Sequence, residues 1–518
     1  MRSTSLWRRT RPRRLPPGVR AIGTKWVFKI KLGLQGETLR YKCRIVVKGY
    51  RQVSGEHFTY TFAPTLQMAS LRIFLILAMH HRWDIEQFDT KTAFLIPELN
   101  EDEQIWITPP EGIEVPAGFA WLLLKGMYGC AQASHLWHGH QHKTILSIGF
   151  LPTSADECLY TKVDEKGSLV AILFTWVDDG CVAGSPTAIE ETMVALEKAY
   201  PMKRMGRPSL LIGMGIQYQL NTGRVSISQE QYTRQLLSRF GYDNMNRCLT
   251  PATGRLSRQD CPEPGSNEQR QMAKFPMKQV VGGAGWLVTG SRPDIAYAFA
   301  QIARYSHNPG PSTVRAAKQL LRYLSGTRDY ALVYQVPDIA SQASNSTLAE
   351  FLQAFVDADW AGELDQRRST GGHVLMLCGA AVFWRCKLIR TIALSSCEAE
   401  LIELSNAGKT AVWLVWLLEE LGIKGVRPLT LREDNDGTIK VAYGDATTKR
   451  LKHVELRHFY IKQLIKKDLV TVKPVATADN VADIFTKPLN REKFLVMSAC
   501  LVWSTNDTDR ERCVTVRG

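Results

Sequence analysis

Leu169-Val-Ala-Ile-Leu-Phe-Thr-Trp-Val177 is an almost wholly apolar run that stops at Asp178-Asp179-Gly180. Its length and apolar content read as a buried strand, and Asp-Asp-Gly as the turn that ends it. Asp-Asp before Gly is also a common solvated turn, but a buried strand feeding two acids needs a further reason. Adjacent carboxylates repel, so a turn holding both is costly unless divalent cations neutralise them. A third acid, Asp89, ends a strand-like segment at Phe88-Asp89-Thr-Lys-Thr-Ala-Phe94. Two Mg²⁺ ions about 4 Å apart on such acids would activate a 3′-hydroxyl and stabilise a pyrophosphate leaving group.

Outward from this stretch, the 518 residues allow about three domains. Apolar residues at 45% and charged residues at 22% exclude wholesale disorder, collagen and coiled coil. The net charge of +15 points to a polyanionic partner, nucleic acid first, although a basic protein without one has the same composition. The longest apolar runs, such as Val412 to Leu418, fall short of the roughly 18 residues that span a bilayer, so no membrane anchor is expected. The 11 cysteines are scattered without a C-x-x-C pair, which argues against a disulfide framework and for a reducing compartment.

The first acid is Glu37, and residues 1–20 hold seven arginines. Residues 1–14 read as a disordered basic arm; a transit peptide is the alternative, which the Pro-rich Arg11 to Pro17 resists. Lys25 to Lys31 and Arg40 to Lys48 alternate as a hairpin, and Ser70–His80 and His135–Ile148 read as helices. Thr253 to Asn267 and Val336 to Thr347 are polar linkers flanking a helical stretch, Pro293 to Ser325. Strands and helices restart at Ala354-Phe-Val-Asp-Ala-Asp-Trp360 as an independent domain, and residues beyond about Cys500 show no pattern.

Asp89 with Val177-Asp178-Asp179 resembles the active site of reverse transcriptases of copia-type LTR retrotransposons. Further segments resemble that family in the same order: Gly23-Thr-Lys-Trp-Val-Phe-Lys-Ile-Lys31, Arg44-Ile-Val-Val-Lys-Gly-Tyr-Arg-Gln52, Thr61-Phe-Ala-Pro64, Tyr128-Gly-Cys-Ala-Gln132, Arg292-Pro-Asp-Ile295, Arg322-Tyr-Leu-Ser-Gly-Thr327 and Lys487-Pro-Leu489. The resemblance implies that Asp89, Asp178 and Asp179 hold the metals and that Phe94 is the aromatic gate against a ribose 2′-hydroxyl. By itself, Phe94 reads equally as core packing. It further implies that Arg44 clamps the triphosphate, as suits a guanidinium fork, and that Gln132 lies beside the incoming nucleotide. Five positions depart from the family pattern. Trp176 stands for a usual Tyr, Cys130-Ala131 for Leu-Lys before Gln132, Ser134 for Pro after it, and Gly180 for an apolar residue after the acid pair.

A second set of acids lies after the second linker. Asp357 sits in a strand, Glu400 opens an amphipathic helix ending at Gly422, Asp434 follows the strand Leu429–Arg432, and Asp483 lies in Asp479-Asn-Val-Ala-Asp-Ile-Phe-Thr-Lys487. Each acid alone reads as a surface residue; four from separate elements could converge at one end of a mixed sheet as a two-metal nuclease. Asp357-Ala-Asp-Trp-Ala-Gly362, Arg368-Ser-Thr-Gly-Gly372, Ala393-Leu-Ser-Ser-Cys-Glu-Ala-Glu-Leu401, Asp434-Asn435 and Val481-Ala-Asp483 resemble the copia-type ribonuclease H domain. The resemblance implies Asp357, Glu400, Asp434 and Asp483 as its acids, ahead of the neighbouring Asp359 and Glu398. His135, His138 and His142 share a helix face and could bind a metal, but the resemblance gives that segment a packing role. His453-Val-Glu455 echoes a zinc deaminase without the required P-C-x-x-C, and its basic surroundings better suit phosphate contact.

The expected fold is α+β: a right-hand polymerase palm and fingers over residues 15–250, a helical connection over 251–345, a ribonuclease H-like mixed-sheet α/β domain over 346–492, and a tail, 493–518. The expected function is RNA-directed DNA synthesis with ribonuclease H activity. It would use two Mg²⁺ per active site (Mn²⁺ in their place) and engage RNA template, DNA primer, RNA–DNA hybrid and dNTPs. The family implies the cytoplasm, in a virus-like particle, or the nucleus. The competing expectation is an inactive relic that at most binds nucleic acid, since capsid, protease and integrase segments are not found in this sequence.

Overall fold

The computed structural model describes residues 10–32, 38–100, 102–337, 347–444 and 455–505. The chain divides into two compact units, residues 1–66 with 85–207, and residues 67–84 with 208–518. As expected, it is a mixed α/β structure of sheets backed by helices.

The first unit is built on a six-stranded sheet in the order Met202–Gly206, Asp84–Thr90, Asp179–Gly184, Leu169–Trp176, Leu159–Val163, Leu151–Pro152. The apolar strand Leu169–Trp176 is central, and Ala171 to Thr175 are buried. Helices Ala133–Ser147 and Pro186–Ala199 supply Trp137, Ile145, Ile189, Met193 and Leu196 to a core with Phe88, Leu173 and Val182. Burying side chains of this size contributes about 1.5–3 kcal/mol each, so the strand ends are held on a rigid base. The expected hairpin is present as Thr24–Leu32 paired with Thr38–Val47.

Thr10–Arg14 corrects the disordered arm in part. These residues form a strand along Phe119–Leu123, which pairs on its other side with Trp106–Ile107. Pro12 keeps the segment extended and sits on an edge strand, where its missing N–H is tolerated. Residues 1–9 lie outside the described residues.

In the second unit, Leu210–Leu211, Met214–Gln219, Arg224–Ser228, Tyr330–Gln335 and Trp503–Ser504 make one five-stranded sheet. The helical stretch after Pro293 is two helices, Ala296–Arg304 and Pro311–Gly326, parted at Asn308-Pro309-Gly310 because proline cannot continue a helix. A buried ion pair ties it together. Arg292 donates to both carboxylate oxygens of Asp294 at 2.9 and 2.7 Å, and to Thr327 O at 2.8 Å, while Tyr323 donates to Asp294 Oδ2 at 2.7 Å.

A second five-stranded sheet has the order Ala380–Leu388, Thr370–Leu377, Leu352–Asp359, Leu429–Glu433, Val470–Pro474. The first three strands are antiparallel and the last two join in parallel, with the long helix Ser396–Glu420 packed on the sheet.

Two expectations are corrected here. The linker Thr253 to Asn267 is anchored: Arg255 pairs with Asp359 at 2.7 Å, and Ser257 and Arg258 N donate to Asp365 at 2.8 Å. The presumed tail begins inside the helix Arg491–Ala499, whose buried Phe494 meets Tyr323 edge-on at 5.6 Å, and Trp503–Ser504 closes a sheet edge. A short run such as Trp503–Ser504 has too few residues to show a period. Most of the second linker, 338–346, lies outside the described residues.

Candidate functional site

In the first unit, Asp89 lies near the end of its strand, and Asp178 and Asp179 lie at the adjoining hairpin. Thr90 N donates to Asp178 O at 2.8 Å, which joins the two segments. The turn falls one residue earlier than Asp178-Asp179-Gly180. Trp176 pairs with Asp179, so Val177 and Asp178 make the two-residue loop and Asp179 begins the returning strand. Val177 takes φ 57°, a strained choice for a β-branched residue, and its carbonyl accepts from Trp137 Nε1 at 2.5 Å. The hairpin thus stands on a buried tryptophan and presents Asp178 to solvent.

Gly180 has a steric reason. A Cβ there would stand 2.3 Å from Phe88 Cζ and 2.8 Å from Phe174 O. The Phe88 ring fills the space that the family's apolar residue would need.

Arg44 and Phe94 are organised by Tyr128, a residue of a quoted motif to which the sequence assigned no role. The Arg44 guanidinium lies over the Tyr128 ring, 5.2 Å from its centroid, and Phe94 meets that ring edge-on at 5.5 Å. Cation–π contact holds the arginine in place while leaving its fork of donors usable. Gln132 does not reach the surface. It is 1% exposed, its Nε2 donates to His57 O at 3.0 Å and to Glu103 Oε2 at 3.2 Å, and its Oε1 accepts from Gln52 at 3.1 Å. A buried amide must satisfy its hydrogen bonds internally, and here they latch three segments together.

In the second unit Asp357, Glu400 and Asp434 converge. Among the described residues they are the group of three metal-capable side chains whose ligand atoms all lie within 4.8 Å of one another. Asp89, Asp178 and Asp179 do not form a group of that spacing, nor do His135, His138 and His142. His135 meets Phe62 O at 2.7 Å and His142 meets Tyr160 Oη at 3.0 Å. His453 lies outside the described residues.

Local structure explains the convergence. Asp357 is on the central strand, Asp434 follows the parallel strand Leu429–Glu433 beside it, and Glu400 is on the first turns of the helix that Ser395 caps. The capping bond, Ser395 Oγ from Glu398 N at 3.1 Å, fixes where that helix starts. The two alternative acids are otherwise engaged: Asp359 with Arg255, and Glu398 Oε2 accepting from Leu394 N at 2.7 Å.

Burial pushes the Asp357 carboxyl up to about 7; Lys487 opposes this, and the charges of Asp483 and Asp434 add to it. Burial, then the charges of Glu433, Asp357 and Asp434, holds Glu400 well above the usual carboxylate range. Burial does the same to Glu433. Glu400 Oε2 is buried without a hydrogen-bond partner. Crowded acids, with Glu400 and Glu433 each holding an unsatisfied buried oxygen, fit a divalent cation, which satisfies oxygens and cancels repulsion together.

Asp483 stands apart from this group. It is fully buried, with Lys487 Nζ 2.6 Å from Oδ1 and Lys493 Nζ on Oδ2. Lys487 Nζ also lies 3.6 Å from Asp357 Oδ2, which accepts from Thr486 Oγ1. Glu433 and Lys493 were missed in the sequence, and Thr486 and Lys487, although within quoted segments, were given no role. The one signal was Lys487 at i+4 from Asp483, a spacing at which opposite charges meet.

Residues 11–254 match the family described as reverse transcriptase (RNA-dependent DNA polymerase). The chain is 34% identical over 486 residues to a retrovirus-related Pol polyprotein from transposon TNT 1-94 of Nicotiana tabacum, covering 93% of this chain and 35% of that polyprotein. It is 30% identical over 322 residues to a transposon Ty5-1 protein of Saccharomyces cerevisiae, covering 61% of this chain and 98% of that protein. A foamy viral protease–reverse transcriptase in complex with double-stranded DNA aligns over 87% of this chain and 67% of that one, at 11% identity and a TM-score of 0.48. The chain spans about a third of the length of the plant Pol polyproteins it matches. Because the yeast protein is matched along nearly all of its length, and the plant polyproteins along nearly all of this chain, the likeness is not confined to a few motifs: the chain belongs to the reverse transcriptase family of copia-type retrotransposon Pol polyproteins.

Proposed function

We propose that the chain synthesises DNA on an RNA template from dNTPs and hydrolyses the RNA strand of the resulting hybrid. The observation that supports the reading is that Asp89 lies beside the Asp178–Asp179 hairpin in one unit and Asp357, Glu400 and Asp434 converge in the other, at the positions the family motifs occupy. Asp89, Asp178 and Asp179 would hold the divalent ions of polymerisation, with Mg²⁺ as the natural choice for phosphate chemistry. Arg44, braced on Tyr128, would contact the triphosphate, and Phe94 would close over the sugar. Gln132 would act from behind as a latch rather than on the nucleotide. Asp357, Glu400 and Asp434 would hold the ion of hydrolysis. The net charge of +15 suits nucleic acid, as does the hairpin on which exposed Phe28 and Tyr41 flank the cross-strand pair Lys29 and Lys42.

The test is primer extension on poly(rA)/oligo(dT) with Mg²⁺. Extension by the chain, lost in Asp178→Asn while hybrid binding persists, supports the reading. Binding rests on the basic surface, so equal loss of both would make Asp178 structural.

A second reading is a chain that binds nucleic acid without polymerising. What favours it is that Gln132 is spent internally and that the polymerase acids stand more loosely than the nuclease acids. Hybrid binding by the wild-type chain without any extension would establish it.

A further inference from the structure

The nuclease acids do not present two equivalent places for divalent ions. Asp357, Glu400 and Asp434 share one place, where Glu400 Oε2 is buried and lacks a partner. The second place, between Asp357 and Asp483, is lined by ammonium. Lys487 Nζ stands 2.6 Å from Asp483 Oδ1 and 3.6 Å from Asp357 Oδ2, so it bridges the two carboxylates as a metal ion would. The other oxygen of Asp483 meets Lys493, which also donates to Thr477 O at 2.9 Å. Both oxygens of Asp483 therefore face lysine.

We propose that Lys487 is a built-in cation in the nuclease site: it takes the place of a second divalent ion, so the site binds one ion and Asp483 holds lysine rather than metal. The inference rests on the nuclease reading above. Three points of physical chemistry support it. A fully buried carboxylate needs counter-charge, and Lys493 already supplies one to Asp483, so Lys487 is left to serve Asp483 and the buried Asp357 jointly, as a shared cation. An ion bridging Asp357 and Asp483 would have to displace the Lys487 ammonium, 2.6 Å from Asp483 and 3.6 Å from Asp357, whereas Glu400 has no ion pair among the described residues. Lys487 also keeps 30% of its side chain exposed, so its charge can face a backbone phosphate of the hybrid at the site's mouth.

The test counts ions rather than turnover. Mn²⁺ is titrated into the full chain carrying Asp89→Asn and Asp178→Asn, which silence the other site, and followed by electron paramagnetic resonance with Glu400→Gln as the blank. The expected result is one Glu400-dependent Mn²⁺ with the spectrum of an isolated ion. In Lys487→Gln the count should rise to two, with the line broadening of ions about 4 Å apart. Two coupled Mn²⁺ ions in the chain that keeps Lys487 would overturn the inference and leave the nuclease reading standing. No Glu400-dependent Mn²⁺ at all would remove both. A Lys487→Gln chain that is folded by circular dichroism yet still binds a single ion also counts against the inference. Should that variant not fold, the count in the chain that keeps Lys487 decides alone.

Discussion

Replacing Asp357 with Asn should stabilise the metal-free protein at pH 8 while abolishing hydrolysis of RNA in a hybrid. Asp357 is 2% exposed, and burial raises its carboxyl from 3.8 to about 7. At roughly 1.36 kcal/mol per unit, holding it ionised in the folded state costs about 4 kcal/mol at pH 8. The sign follows from the raised value. The stability is fully present below about pH 4, is lost as pH rises through about 7, and stays lost above. At pH 5 the cost is less than half of that at pH 8, by the same linkage. Asparagine removes the charge but keeps an oxygen for Thr486, and it deprives Lys487 of one partner, Asp483 remaining. Allowing for that loss, the net gain should be about 1–3 kcal/mol at pH 8, a rise of several degrees in the melting of the second unit. The assay is thermal unfolding of wild type and Asp357→Asn in EDTA from pH 5 to pH 9, repeated with Mg²⁺. The difference between the two proteins should grow with pH in EDTA, and Mg²⁺ should stabilise the second unit of the wild type more than that of the variant. A variant less stable than wild type at pH 8 in EDTA, or a gain that does not change with pH, would refute the reasoning that burial and crowding strain this carboxylate.

Three further outcomes are expected. Phe94→Val should relax exclusion of ribonucleotides in primer extension; unchanged dNTP/rNTP selectivity would leave Phe94 as packing against Tyr128. Asp294→Asn should destabilise the second unit by about 3–5 kcal/mol in denaturant unfolding, because it leaves Arg292 buried with its charge unpaired. A loss under 1 kcal/mol would mean that water reaches Arg292. Gly180→Val should cost stability through the clash with Phe88, and Phe88→Leu should restore part of it; simple additivity of the two would show that they do not compete for the same space.

What was legible in the sequence was what repeats along it. The strand Leu169–Trp176 and the helices Met68–His80, Ala133–Ser147 and Ser396–Glu420 follow from apolar runs and periodicity, and each lies within a few residues of its expected place. What was not legible depends on a partner elsewhere in the chain. Thr10–Arg14 becomes a strand only because Phe119–Leu123 offers it an edge, and no local period announces that. The 253–267 linker looks free because its anchors, Asp359 and Asp365, lie about a hundred residues on. Gly180 is a departure from the family pattern when read alone and a fit once Phe88 is seen against it.

The same division runs through the candidate sites. Choosing Asp357 over Asp359, and Glu400 over Glu398, required motif resemblance, since both members of each pair have the same chemistry and lie two residues apart. The fold supplies the missing physical reason. Residues two apart on a strand share a face, so Asp357 and Asp359 differ not in direction but in what meets them: Arg255 neutralises one, and Glu400 and Asp434 crowd the other. An acid that already has its cation lacks the unbalanced charge to draw a metal, and an acid crowded by its own kind has it. By that criterion Asp359 with Arg255, Asp483 with Lys493 and Lys487, and Glu403 with Arg385 are counterbalanced acids, while among the described residues Asp357, Glu400 and Asp434 have only the shared Lys487, 3.6 Å from Asp357, and so hold the surplus. Carboxylates that look alike in a sequence thus separate into those that hold the fold and those that await an ion, and Arg255, Arg385 and Lys493, which help to separate them, lie outside the acidic motifs themselves.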